Sequence, residues 1–82
     1  MRLSVAIITL NEERTLEKTL CAVKNIADEI VIVDSGSVDN TEKIACKYGA
    51  KFFVEPWKGY GPQRNSAIDR CSGEWILNID AD

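Results

Sequence analysis

Leu3-Ser4-Val5-Ala6-Ile7-Ile8 is an apolar run broken only by Ser4. It does not alternate polar with apolar, so it reads as a strand covered on both faces, the environment of a parallel sheet. The rest of the chain repeats the same grammar. Glu29 to Asp34 holds Ile30-Val31-Ile32-Val33 and ends on a carboxylate, a second strand. Lys51-Phe52-Phe53-Val54 is a short third strand, placed near an edge by its length and its leading lysine. Trp75 to Ile79 is a fourth strand, read as buried, and it runs into Asp80-Ala81-Asp82.

Helical patterns fill the intervals. Asn11 is a candidate N-cap, and Glu12 and Glu13 suit the positive end of a helix dipole. Leu16, Leu20 and Val23 then recur at helical spacing, and Lys24-Asn25 closes the helix. Asp39 with Glu42 has the spacing of a capping box before Ile44, Ala45 and Tyr48, and Gly49 is a stop. Glu55 to Gly61 is a loop with Pro56, Gly59 and Gly61 as breakers. Pro62 suits a first helical turn, Ala67, Ile68 and Cys71 form an apolar stripe, and Gly73 is a C-terminal cap. The order β-α-β-α-β-α-β predicts an α/β fold: a three-layer α/β/α, Rossmann-like sheet of four mainly parallel strands, with right-handed crossovers and strand order 3-2-1-4.

The totals narrow the function. The 82 residues make one small domain, and a hydrophobic share of 45 % is that of a globular chain. A net charge of −3 argues against a nucleic-acid partner. The chain holds no apolar run of the roughly 18 residues a membrane span requires, and its start lacks a signal-peptide pattern, so a cytoplasmic protein is expected. Three cysteines at wide spacing read as small buried apolar residues rather than metal ligands or redox pairs. With no histidine, proton transfer falls to a carboxylate in this chain or to a group outside it.

Parallel strands bring the polar ends Thr9 to Glu12, Asp34 to Ser37, and Asp80 to Asp82 to one edge, where open α/β sheets bind ligands. Side chains two apart on a strand face the same way, so Asp80 and Asp82 can converge on a hard cation, Mg²⁺ or Mn²⁺. A polar turn is the plainer account of that tripeptide. Asp34 suits either a base or ribose contact or a turn held by the amides of Gly36 and Ser37. Asn11 suits a cap or a ligand contact, and Lys58 and Arg64 suit a diphosphate or solvent. Neither a dinucleotide fingerprint nor a P-loop occurs.

The ordered motifs carry a resemblance over the whole chain. Ser4-Val5-Ala6-Ile7-Ile8-Thr9-Leu10-Asn11-Glu12-Glu13 resembles the opening of family 2 glycosyltransferases, which have the GT-A fold. Ile32-Val33-Asp34-Ser35-Gly36-Ser37 with Asp39, Asn40 and Thr41 resembles their second-strand motif, and Gly73-Glu74-Trp75-Ile76 into Asp80-Ala81-Asp82 resembles the segment that ends in DxD. Trp57, Gly59, Tyr60, Gly61, Gln63, Arg64 and Asn65 resemble the subgroup of lipopolysaccharide-core β-1,4-glucosyltransferases. Ser35 stands where many members have a second aspartate that contacts uracil, and Val38 replaces a common threonine.

The resemblance implies a nucleotide-sugar-binding, N-terminal part of a glycosyltransferase over residues 1–82. Its donor is a nucleotide-diphosphate sugar, with a UDP-sugar favoured, and it works with Mg²⁺ or Mn²⁺. It implies inverting transfer of glucose or another hexose to a glycan or lipopolysaccharide-core acceptor. Thr9, Leu10, Asn11, Glu12, Asp34, Ser35, Arg64 and Asp80 would bind the nucleotide sugar, and Asp82 with Asp80 the metal. The catalytic base is expected beyond Asp82; Glu55 and Asp69 are candidates only by elimination. A lipid-built acceptor would imply work at the inner face of the cytoplasmic membrane, with peripheral association through the C-terminal part. A non-catalytic nucleotide-binding module and a plain α/β interaction domain are the alternatives.

Overall fold

The structure is a computed structural model that describes residues 2–81. Its elements are β1 (Leu3–Thr9), α1 (Leu16–Val23), β2 (Glu29–Asp34), α2 (Thr41–Lys47), β3 (Lys51–Val54), α3 (Tyr60–Asp69) and β4 (Trp75–Asp80). The four strands form one parallel sheet in the order β3-β2-β1-β4, as expected. Strand β1 lies in the middle, and Ser4 to Ile7 are fully buried, which accounts for its unbroken apolar run.

The pleat divides the core in two. Val5, Ile7, Ile30 and Ile32 pack with Leu16, Leu20, Val23 and Ala45, so α1 and α2 cover one face. Ala6 and Val33 pack with Ala67, with Ile68 and Cys71 at the margin, so α3 covers the other. The apolar spacing read from the sequence is the spacing that faces the sheet.

Four local expectations are corrected. Helix α1 begins at Leu16, not after Asn11, and Asn11 takes a left-handed backbone with φ of 52°. Its side chain is used across the loop rather than as a cap. The Asp39–Glu42 pair forms no reciprocal capping box; Asp39 instead accepts hydrogen bonds from the Thr41 amide and hydroxyl, at 3.0 and 2.5 Å. Gly73 caps no helix, since α3 ends at Asp69. It lies against β1, where an added Cβ would stand 2.5 Å from Ser4 Oγ and 3.0 Å from Arg2 O. Glycine is required there for close approach of two backbones. Cys21 and Cys46 are exposed and Cys71 is half-buried, because the first two lie off the core-facing positions of α1 and α2.

The fourth strand departs most. Trp75, Ile76 and Leu77 are 60, 41 and 38 % exposed. Among the described residues β4 pairs only with β1, and the helices leave its side chains largely uncovered. Sequence hydrophobicity marks what a strand can bury, not whether a neighbour arrives to bury it.

At the opposite end of the sheet from the polar strand ends, Glu29 is buried beneath β1. It accepts hydrogen bonds from Ser4 Oγ at 2.6 Å, Lys51 Nζ at 2.5 Å and the Ser72 amide at 2.8 Å. Bonding to Lys51, then to Ser4 and Ser72, lowers its pKa from an ordinary 4.5 to about 2, against the opposing effect of burial. A depressed carboxyl stabilises the fold fully above its unfolded value and loses that contribution as pH falls toward the folded value. Glu29→Gln is therefore expected to cost roughly 1.5–3 kcal/mol at pH 7. Urea unfolding should show that deficit narrowing at pH 3, and an equal deficit at both pH values would contradict this account.

Candidate functional site

The carboxyl ends of β1, β2 and β4 meet at one edge, and the register places Thr9 beside Asp34 and Ile8 beside Asp80. An open cleft of about 750 Å³ lies there, lined by Ile8, Thr9, Leu10, Glu12, Trp57, Tyr60, Arg64, Asp80 and Ala81. That volume suits a small-molecule ligand.

Asp34 lies under the cleft floor at 1 % exposure. Its Oδ1 accepts from Thr9 Oγ1 at 2.6 Å and Ser37 Oγ at 2.5 Å. Its Oδ2 accepts from the amides of Gly36 at 2.8 Å and Ser37 at 2.6 Å. Those four bonds use the roughly four acceptor positions of a carboxylate. Burial pushes the carboxyl up, and the bonds from Ser37, Thr9 and Gly36 more than offset it, so the group stays ionised. The turn-holding role is thus present in the geometry.

The two loops above are fastened to this turn. Ser37 Oγ also accepts the Asn11 amide at 2.7 Å, and Asn11 Oδ1 accepts the Val38 amide at 2.9 Å. Further along, Thr41 Oγ1 accepts the Glu12 amide at 2.9 Å while Asp39 accepts the Glu13 amide at 3.3 Å. Asn11, Asp34 and Ser35 therefore support the cleft without lining it, whereas Thr9, Leu10, Glu12, Arg64 and Asp80 line it.

Asp80 differs from Asp34 in every respect. Its side chain is 66 % exposed, and among the described residues its carboxylate meets only Arg64, at 3.5 Å. An exposed pair this long holds neither partner firmly. Asp80 and Arg64 thus offer the cleft one carboxylate and one guanidinium, both free to turn to a ligand. Among the described residues no three acidic, cysteine or histidine side chains cluster as a ready metal cage. One hard oxygen ligand at a cleft mouth fits a Mg²⁺- or Mn²⁺-type ion that takes its other ligands from phosphate and water. Asp82, the other expected metal ligand, lies outside the described residues.

Other candidate groups are already engaged. Glu55 is paired with Lys58 and with Arg70 at 3.0 Å. Bonding to Lys58 first, then to Ser66 and Arg70, holds its pKa at about 2, so it is a poor proton acceptor. Lys58 also donates to Ser66 Oγ at 2.9 Å, which turns its ammonium toward α3. The sequence reading named Gln63 within the subgroup motif but gave it no role; it is fully buried and bonds to Ser35 and the 55–58 loop. A signal existed: Gln63 is a polar residue four positions before Ala67 on the apolar stripe of α3.

A parallel α/β sheet with a polar cleft at its carboxyl edge defines a Rossmann-like ligand-binding unit. Residues 4–82 match the model of glycosyl transferase family 2, and the chain belongs to that family. It is 51 % identical over 81 residues to an uncharacterized glycosyltransferase of Rickettsia bellii, covering 99 % of this chain and 28 % of that protein. It is 46 % identical over 85 residues to the lipopolysaccharide core biosynthesis glycosyltransferase LpsC of Rhizobium meliloti, covering 98 % of this chain and 31 % of that one. Among solved structures it resembles glucosyl-3-phosphoglycerate synthase of Mycobacterium tuberculosis in complex with Mn²⁺, UDP-glucose and phosphoglyceric acid. The TM-score is 0.78 at 32 % identity, over 99 % of this chain and 33 % of that one. The chain thus spans about a third of the length of the relatives it matches.

Asp34→Ala removes the acceptor for four donors at once. It is expected to destabilise the chain by at least about 3 kcal/mol, measured by urea unfolding. A loss under about 1 kcal/mol would show that the turn does not depend on the carboxylate.

Proposed function

We propose that residues 1–82 are the donor-binding part of an inverting glycosyltransferase, which holds a nucleotide-diphosphate sugar, preferentially a UDP-sugar. The observation that carries this reading is the pairing of Asp80 and Arg64 in a cleft lined by Thr9, whose hydroxyl is held from beneath by Asp34. Thr9, Leu10 and Glu12 would flank the nucleoside, with Asn11, Asp34 and Ser35 fixing the loops around it. The Arg64 guanidinium would pair with diphosphate oxygens bidentately. Asp80, with Asp82, would hold the divalent ion. When bound, Mg²⁺ or Mn²⁺ would supply Lewis-acid stabilisation of the charge that develops on the diphosphate.

In the transfer itself an acceptor hydroxyl attacks the anomeric carbon. The bond to the diphosphate oxygen breaks with its electron pair, and the hydroxyl proton passes to a base. Glu55 is tied up by Lys58 and Arg70, and we assign the base to the part of the relatives' length that lies beyond Asp82. The transferred sugar is glucose or another hexose, supported by the glucosyl donor of the structural relative. The acceptor is a glycan or the lipopolysaccharide core, supported by the likeness to LpsC. A lipid-built acceptor would put the protein's work at the inner face of the cytoplasmic membrane, with peripheral association through the part beyond Asp82. Among the described residues no helix is long and apolar enough to cross a membrane.

Calorimetric titration of UDP into the chain should show binding that requires Mn²⁺ or Mg²⁺. Asp80→Ala and Arg64→Ala should each weaken it by roughly tenfold or more, the loss of one charge-assisted contact. Asp82→Ala should abolish the metal requirement together with the binding. Metal-independent UDP binding that survives Asp80→Ala would overturn the assignment. Sugar transfer by the purified 82-residue chain would overturn the placing of the base.

A further inference from the structure

Gln63 is the largest fully buried polar side chain among the described residues. Its Nε2 donates to Glu55 O at 3.2 Å and Ser35 Oγ at 3.4 Å, and its Oε1 accepts the Lys58 amide at 3.2 Å. Its own amide donates to Gly59 O at 3.0 Å. One side chain thus joins the turn after β2, the end of β3 and the middle of the loop that leads to α3. If packing alone were served, a hydrocarbon would fill this place at less desolvation cost. A fully bonded buried amide instead specifies one arrangement of its partners.

What it arranges is the outer wall of the cleft. The loop it grips carries Trp57, whose ring stands edge-on to Tyr60 with centroids 4.9 Å apart. Both rings line the cleft with Thr9 and Leu10, and both are at least half exposed. Exposed aromatic rings on a loop and at the first residue of the helix after it need a fixed backbone if they are to meet a ligand in one geometry.

We propose that Gln63 is a positioning residue. Its carboxamide sets the 55–59 loop against the Ser35 turn, and so holds Trp57 and Tyr60 as a ring-binding lip over the donor cleft. The ligand half of this inference rests on the donor-binding reading; the positioning half does not.

The test uses the 82-residue chain with Trp75→Phe, which leaves Trp57 as its single tryptophan. Without ligand, Gln63→Met should make Trp57 roughly twice as quenchable by acrylamide. It should speed hydrogen exchange at the Lys58 amide by about tenfold or more, with the β1 and β2 amides unchanged. With Mn²⁺ and UDP, the same variant should bind about tenfold more weakly and lose the emission change that binding produces at Trp57. Gln63→Glu keeps an acceptor for the Lys58 amide but loses both donors. It should therefore protect that amide yet still weaken UDP binding. A folded Gln63→Met chain with unchanged quenching and affinity overturns the proposal. So does a Lys58 amide that exchanges at the solvent-exposed rate in the parent chain, an outcome readable even if both variants fail to fold. Should the parent chain bind no UDP, the donor reading falls, and quenching and exchange still decide the positioning role.

Discussion

The cleft depends on one saturated carboxylate. Asp34 is buried at the end of β2, and a charge in that position is tolerated only because four donors surround it. Two of those donors are backbone amides of the following turn, one is the hydroxyl at the end of the neighbouring strand, and one is Ser37 Oγ. Ser37 in turn receives the Asn11 amide, so the constraint passes from β2 to the loop after β1. Two loops that are remote in sequence are thereby held together, and the first of them lends Leu10 and Glu12 to the cleft lining.

The same sheet edge separates supporting charge from available charge. Glu55 ties down Lys58 and Arg70, and Lys47 pairs with Glu17 far from the cleft. Among the described residues Arg64 makes only long contacts, to Asp80 and to the Tyr60 ring, and all three line the cleft. The short ion pairs serve the scaffold, whereas the loosely held pair of Arg64 and Asp80 lines the cleft. This division is the one that the proposed donor-binding role calls for.

At the other end of the sheet, Glu29 performs the scaffold role without facing any cleft. Ser4, Lys51 and Ser72 converge on it, and Gly73 packs directly on β1 beside it. The fold thus carries a buried carboxylate at each end of β2. One aligns the strands β1, β3 and β4 at their starts; the other aligns the loops at their ends.

Strand and helix positions were legible because they follow from local periodicity. Leu16, Leu20 and Val23 could face only one way on a helix, and Val5 to Ile8 had no polar face to show water. The convergence of Thr9, Asp34 and Asp80 was legible as well, because parallel strands share an edge whatever their order. What a given polar side chain does there was not legible. Asp34 and Asp80 are the same residue type at the ends of two strands, yet one is saturated by four donors and the other is open to the cleft. Three of Asp34's four donors come from its own turn, the role that the Gly36 and Ser37 amides allowed it in the sequence; the fourth, Thr9, and the Arg64 that meets Asp80 come from distant segments. The exposure of Trp75 to Leu77, the outward turn of Cys21 and Cys46, and the burial of Gln63 have the same origin. Local sequence determines which groups can be buried or bonded, and only the tertiary structure decides which of them meet a partner.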